Sequence, residues 1–384
     1  MIAEAGGFVS SPIYSSVSGK VKAIENRRVA TGDMVKCIVI ENDGNFIETG
    51  FETVDDVTKL SKEEIIEKVK NAGVVGMGGA GFPTHVKLSP KEPDKIEYII
   101  VNGAECEPYL TSDYRRMLEN PEELIGGLKI ILQLFDNAKG IIGIEDNKPD
   151  CIEKLTQLTS GESRIEVCPL KTKYPQGGER QLIFATTGRA INSKMLLADA
   201  GCIVDNVETI IAIYNAVKNG LPVMKRISTV TGDAVKNPSN FLYSIGTSYQ
   251  ELIDAAGGFK SQPEKIISGG PMMGFAMFGL DIPTTKTSSS ILCFTKDEVT
   301  QFEPLACINC GRCVEACPEQ LIPSRLAKFA TNGLMSEFEK WHGLECIECG
   351  SCTFACPSRR QVAQPIKTMK KLTLAEKRKQ ASKK

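Results

Sequence analysis

The chain has 384 residues, 42% of them apolar, with 46 Lys and Arg against 47 Asp and Glu. That balance describes a globular protein long enough for two or more domains, and it excludes the broad basic face that nucleic-acid binding requires. No apolar run approaches the roughly 20 residues of a bilayer crossing, and the first ten residues carry Glu4 and no basic cluster, so neither a span nor a secretory signal is expected.

In chain order, residues 8 to 41 alternate like short strands: Phe8-Val9, then Gly19 to Ile24, then Val35 to Ile40. Turn signals at Thr31-Gly32-Asp33 and Asn42-Asp43-Gly44 separate them. A small all-β piece ending near residue 55 is expected. Ser61 and Glu64 form a capping box that opens a helix with Ile65, Ile66 and Val69 on one face, and Gly73 is its stop. Gly76-Met77-Gly78-Gly79-Ala80-Gly81 follows, with the letters of G-x-G-x-x-G. A dinucleotide fingerprint must follow a strand, and here a helix precedes it. Four glycines so close together still suit a backbone that touches a phosphate or a flat ring. A flexible surface loop is the plainer alternative.

A strand, Ile96 to Val101, then runs into Asn102-Gly103-Ala104-Glu105-Cys106-Glu107-Pro108-Tyr109. Polar residues at the carboxyl end of a buried strand are where open α/β folds keep their ligands. For Glu105 and Glu107 the other reading is that each carboxylate caps a nearby turn or helix. Lys139 to Glu145 reads as a strand and Asp150 to Leu158 as a helix. Lys173 to Arg180 is another Gly-rich turn before an apolar helix, and Asp205 is the expected N-cap of the helix Ile210 to Lys218. Ile227 to Thr231 and Phe241 to Ile245 read as strands, followed by a helix boxed by Ser248 and Glu251 and stopped at Gly257. Ile266 to Gly274 closes this region, with Met272 and Met273 read as core filler. Polar Thr284 to Ser290 reads as a linker.

Eight of the fourteen cysteines fall into two copies of one pattern. Cys307, Cys310, Cys313 and Cys317 precede Pro318, and Cys346, Cys349, Cys352 and Cys356 precede Pro357 with the same spacing. This is the two-cluster ferredoxin pattern, in which the fourth Cys of each run ligates the other run's [4Fe–4S] cluster. The expected ligand sets are Cys307, Cys310, Cys313 with Cys356, and Cys346, Cys349, Cys352 with Cys317. A pair of zinc sites is the alternative, although zinc would leave the third Cys and the Pro of each run unexplained. The other six cysteines are scattered, and most of them read as small buried residues. The segment from Lys367 to Lys384 holds eight Lys or Arg and one Glu. It is either a solvated tail or a group of charges near an anionic membrane face or an acidic partner.

Taken together, Gly76 to Leu88, Val101 to Tyr109, Gly143 to Pro149, Lys173 to Glu179, Ser268 to Gly274 and the paired cysteine runs resemble the RnfC family. These are peripheral subunits of the Rnf ferredoxin:NAD+ oxidoreductase. The chain resembles more distantly the flavin and NADH subunit of respiratory complex I. The resemblance covers nearly the whole chain and implies a multidomain α/β protein. Its parts would be a partial all-β barrel-sandwich domain (1–58), a Rossmann-like FMN/NADH domain (59–222), a small β-grasp domain (223–280), a linker (281–300), a largely helical ferredoxin-like module with two [4Fe–4S] clusters (301–362) and a basic tail (363–384).

Carried over by residue, the resemblance implies that Gly76, Gly78, Gly79, Ala80, Gly81 and Lys87 wrap FMN, and that Asn102, Glu105, Asn206 and Thr209 complete that site. Glu107, Gly178 and Glu179 would face NAD(H). Arg180 and Asp205 depart from the complex I pattern, which has Glu and often Asn there. The Gly-Gly-x-His-Pro start usual in the family is missing, so the β domain is expected to be incomplete. The implied partners are the other Rnf subunits, membrane-embedded ones included, with ferredoxin reached indirectly and no nucleic acid. The implied location is peripheral, on the cytoplasmic face of the membrane. A soluble NADH-dependent electron donor and a non-catalytic cluster relay are the rival readings.

Overall fold

Gly19–Arg28 (β1) and Met34–Asn42 (β2) pair as an antiparallel hairpin in the computed structural model, which describes residues 1–299 and 301–381. Phe8 and Val9 are not a strand. They lie in a bend, 77% and 60% exposed, with no strand alongside to satisfy an extended backbone. The described chain divides into two compact units, one of residues 1–190 and 195–295, the other of residues from 296 onward with the segment 191–194.

The first unit continues with α1 (Lys62–Asn71), whose capping box forms as expected: Glu64 N–H donates to Ser61 Oγ at 3.2 Å and Ser61 N–H to Glu64 Oε2 at 2.7 Å. Ile65 and Val69 are fully buried, and Gly73 takes a positive φ of 70° just past the helix end. Then come α2 (Thr84–Lys87), β3 (Tyr98–Gly103), α3 (Ser112–Glu119), α4 (Pro121–Leu132), β4 (Lys139–Glu145), α5 (Pro149–Leu158), β5 (Ile165–Leu170), α6 (Glu179–Thr187), β6 (Cys202–Asn206) and α7 (Val207–Lys218). The four strands form a wholly parallel sheet in the order β5-β4-β3-β6. Buried on both faces, β4 reads Gly-Ile-Ile-Gly-Ile rather than as an alternation. The chain builds outward from β3 to β5, then returns to lay β6 on the other side of β3. That reversal makes a switch point between β3 and β6, where such sheets hold ligands.

A second sheet follows, from β7 (Lys225–Thr231), β8 (Ser239–Ser244), α8 (Tyr249–Ala255), β9 (Lys265–Ser268), β10 (Phe275–Ala276) and β11 (Ser290–Phe294), in the order β10-β9-β11-β7-β8. The linker expected over 281–300 is corrected here, apart from Thr300, which lies outside the described residues. Its apolar run Ile291-Leu292-Cys293 is buried to within 1% and forms the central strand, parallel to β7 and antiparallel to β9. The polar residues before it hid a strand too short to show a period. Met272 and Met273 are not core filler either: Met273 is 46% exposed, and the pair matters through its backbone.

In the second unit, α9 (Arg312–Glu315), α10 (Pro323–Thr331), α11 (Met335–Lys340), α12 (Ser351–Phe354) and α13 (Ala363–Ala381) surround a core of Leu321, Leu326, Phe338, Val362, Ile366 and Met369. The cysteine repeat is also a backbone repeat. Asn309 and Glu348 both take positive φ (55° and 62°), as do Gly311 and Gly350 (81° and 82°) and Gln320 and Arg359 (54° and 52°). A wholly solvated tail is corrected too: through Ala381 the segment is helical, with Ile366, Met369 and Thr373 buried at helical spacing. Ser382 to Lys384 lie outside the described residues. Among the described residues no helix is long and apolar enough to cross a membrane.

The position of β11 is directly testable. Ile291→Ala should cost about 2–5 kcal/mol of stability, as for a large aliphatic residue lost from a core. A linker position would cost under about 0.5 kcal/mol, and thermal and denaturant unfolding of the parent and variant distinguish the two.

Candidate functional site

The glycine segment is a loop closed at its neck. Val75 bridges Pro83, Gly76 N–H donates to Phe82 O at 2.8 Å, and Gly81 N–H returns to Gly76 O at 3.1 Å. Met77 is pinned on both sides: its N–H donates to Thr209 Oγ1 (2.9 Å), and its carbonyl accepts from Arg226 Nη2 (2.6 Å). The N–H groups of Gly78, Gly79 and Ala80 make no hydrogen bond among the described residues. Gly79 has φ +124° and open space where a Cβ would stand. The three residues are exposed and leave open space at Gly79, a hollow of free backbone donors that suits an anionic, flat ligand.

Across the hollow, Asn102 at the end of β3 stands in register opposite Asn206 at the end of β6. Asn102 Nδ2 donates to Gly177 O at 2.8 Å, so it holds the Gly177-Gly178-Glu179 turn in place. Lys87 reaches in from α2, donating to Val204 O (2.7 Å) and pairing with Asp205 at 3.1 Å and with the half-exposed Glu179 at 3.7 Å. Asp205 is 2% exposed and sits on the strand itself; the N-cap of α7 is Asn206, whose side chain accepts from Glu208 N–H. Burial pushes the Asp205 carboxyl up while Lys87 pulls it down. Two polar atoms around the hollow, Asp205 Oδ2 and Gln176 Oε1, are buried without a partner. Orphans of this kind, beside free N–H donors, fit the polar edge of a bound flavin.

The acidic residues after β3 take the capping arrangement. Glu105, at φ 46°, accepts from the N–H groups of Asp113 (2.7 Å) and Tyr114 (3.1 Å) at the start of α3. Glu107 accepts from Met272 N–H (3.1 Å) and Met273 N–H (2.9 Å). Gly270 is required beside it, since a Cβ there would lie 2.2 Å from Glu107 Oε2. Glu107 therefore ties the loop after β9 to the end of β3. Burial, then the charge of Asp113, pushes Glu105 up to about 8; burial pushes Asp113 up to about 6, against Asn206 and Arg226. Arg226, Asp113 and Lys148, which donates to Ala104 O at 2.7 Å, were missed in the sequence. None carries a motif, and a lone Arg at the start of a strand gives no signal of its partner.

In the second unit, Cys317, Cys346, Cys349 and Cys352 line one cavity, walled by Leu321, Leu326 and Ile366. The fourth cysteine of the first run thus stands with the first three of the second. Leu321 N–H points at Cys317 Sγ and Glu348 N–H at Cys346 Sγ, both at 3.4 Å. Burial, with the neighbouring sulfurs adding to it, pushes the Cys346 thiol up to about 11 and Cys352 up to about 12. Thiols raised in this way ionise only against a strong local positive charge, as iron supplies. Cys307 and Cys310 are exposed, and Cys313 and Cys356 are half-buried. Of the scattered cysteines, Cys151, Cys202 and Cys293 are buried, but Cys37, Cys106 and Cys168 are only partly so.

Comparison with known proteins agrees with this layout. Family models match as an RnfC barrel sandwich hybrid domain (1–45), a Nuo51 FMN-binding domain (69–215), an SLBB domain (227–276) and a 4Fe-4S dicluster domain (306–362). The matching subunit of the Na(+)-translocating ferredoxin:NAD(+) oxidoreductase complex of Acetobacterium woodii is 46% identical over 379 residues, 98% of this chain and 86% of that protein. The chain belongs to the RnfC family. Another RnfC relative, from the proton-translocating ferredoxin:NAD(+) oxidoreductase complex of Clostridium ljungdahlii, is 47% identical over 88% of this chain and 74% of its own length. The corresponding subunit of the ion-translocating oxidoreductase complex of Pseudomonas aeruginosa is 39% identical over 86% of this chain, which spans 43% of it. Among solved structures, a chain of an NAD+-reducing [NiFe]-hydrogenase in the H2-reduced state superposes with TM-score 0.57 at 19% identity, over 80% of this chain and 61% of that one; the likeness is one of fold. An FMN-binding domain and a dicluster domain give this RnfC chain an electron-transferring, oxidoreductase role.

Removing one partner of a buried ion pair strands the other. Lys87→Met should therefore destabilise the apoprotein by about 3–5 kcal/mol near neutral pH. Asp205 would then have its folded carboxyl raised well above the unfolded value. The deficit should grow as pH rises through that folded value and shrink toward the acid range. Denaturant unfolding of parent and variant across pH measures it.

Proposed function

We propose that the chain is the peripheral electron-transfer subunit of an ion-translocating Rnf-type ferredoxin:NAD+ oxidoreductase complex, and that it passes electrons between NAD(H), FMN and two [4Fe–4S] clusters. The likeness to the Acetobacterium woodii protein over 98% of the chain carries the reading, and the two sites agree with it in chemistry. FMN accepts a hydride as an electron pair and releases single electrons, and each cluster carries one electron at a time.

Gly76, Gly78, Gly79, Ala80 and Gly81 would supply backbone N–H groups and close approach to FMN. Lys87 would add a positive charge, Asn102 and Asn206 would flank the ligand from β3 and β6, and Thr209 would fix the loop through Met77. Gly178 and Glu179 lie on the turn that Asn102 holds, where NAD(H) would enter. Glu105 and Glu107 act from behind as positioning groups. Cys307, Cys310, Cys313 and Cys356 would ligate one cluster, and Cys346, Cys349, Cys352 and Cys317 the other. Other subunits would supply the membrane spans, the ion path and the contact with ferredoxin. The chain would dock on the cytoplasmic face, with the basic residues of α13 adding attraction to acidic partners or lipid.

Anaerobically purified protein should contain about eight iron and eight sulfide per chain. Cys317→Ala should damage the same cluster as Cys349→Ala, and Cys310→Ala the other, as read by EPR; zinc in place of iron would refute the cluster reading. Gly79→Val puts a branched side chain into the open hollow at a φ that only glycine adopts readily. It should abolish FMN binding and NADH oxidation by artificial acceptors while leaving circular dichroism and iron content unchanged. A full complement of flavin in that variant would move the site elsewhere.

A further inference from the structure

The two cysteine runs share sequence and backbone but not their electrostatic surroundings. Glu348 stands where the first run has Asn309, and Lys370 of α13 stands where α10 has Thr331. Lys370 Nζ donates to the carbonyl of Cys346 at 2.5 Å and lies 3.8 Å from Glu348 Oε1. Lys367 is 3.7 Å from Glu348 Oε2. In the first run the matching threonine only turns its hydroxyl back to Ala327 O, at 2.8 Å, and brings no charge. Lys370 is 20% exposed and Glu348 28%, so solvent screens both only in part. The cysteines differ in the same sense, Cys349 and Cys352 being buried and Cys307 and Cys310 exposed.

We propose that Lys370 and Glu348 are opposed tuning charges that set the reduction potential of the cluster held by Cys346, Cys349, Cys352 and Cys317 and leave the other cluster alone. The inference rests on the two-cluster reading. Reduction adds one electron to a cluster and changes no bond to the protein, so the cluster gains negative charge. A cation attached through a ligand's own carbonyl favours that state, and a carboxylate two residues from the same ligand opposes it. Lys370 raises the potential and Glu348 lowers it. Because the pair has no counterpart in the first run, it adds a difference in charge between the two clusters.

Redox titration of the whole chain with both clusters loaded, followed by EPR, tests this. The cluster in question is the one whose signal disappears in Cys349→Ser. Lys370→Met should lower its midpoint by at least a tenfold change in its redox equilibrium, about 59 mV for one electron. Glu348→Gln should raise the same midpoint, and the double variant should return toward the parent value. Unchanged iron content and an unmoved midpoint for the other cluster show that the module is intact. If Lys370→Met loses iron, Glu348→Gln alone decides the matter. Midpoints that stay fixed, or that move together in both clusters, overturn the proposal. Half the expected iron in the parent protein would instead overturn the two-cluster reading on which it rests.

Discussion

The Met77 peptide unit is held by one residue from a helix and one from a strand, Thr209 of α7 and Arg226 of β7, and the shape of the glycine loop depends on that hold. A run of glycines carries no side chains with which to fix its own shape. Its conformation must come from neighbours, and here Thr209 takes the Met77 N–H while Arg226 donates to the Met77 carbonyl. Arg226 is 3% exposed and also donates to Ser288 O at 2.9 Å. A charge so deeply buried persists only where its donors are matched and opposite charges lie near. Asp113, whose carboxyl Arg226 draws down, is one such charge. The same interaction therefore shapes the loop and joins the parallel sheet to the second sheet.

The carboxylates after β3 work in the same direction. Glu105 fastens the start of α3, and Glu107 fastens the loop after β9. Neither needs a ligand to satisfy it. Both hold neighbouring elements against the carboxyl end of the sheet, where β3 and β6 part. Free backbone donors, two asparagines and one lysine are thus found near that end of the sheet, with Glu105 and Glu107 fastening the elements around it. Asp205 and Gln176 keep unpartnered oxygens there, which an apolar filling would leave costly.

The second unit shows how little core is needed when cysteines carry part of it. Its apolar centre includes Cys352, with Cys313, Cys317, Cys346 and Cys356 packed against it. Thiols pushed up by burial are poorly suited to solvent chemistry and well suited to a cluster, whose charge reverses the cost of ionising them. Cluster and fold are then mutually dependent.

The sequence alone determined whatever rests on local spacing. The doubled cysteine runs, the Ser61 and Ser248 capping boxes and the strand β4 were all legible, because each is defined within a few residues by local geometry. The fold class came from the resemblance that these motifs carry. Tertiary structure decided what depends on distant partners. It made Ile291 to Phe294 a central strand, because this short apolar segment finds hydrogen-bond partners in both β7 and β9, far off in sequence. It turned Glu105 and Glu107 into braces, since their oxygens meet N–H groups eight or more residues away. It also moved Asp205 off the helix cap and into a buried pair with Lys87, and it seated the first half of a basic segment on a core. A residue's type is fixed by its codon, but its partner is fixed only when the chain has closed on itself.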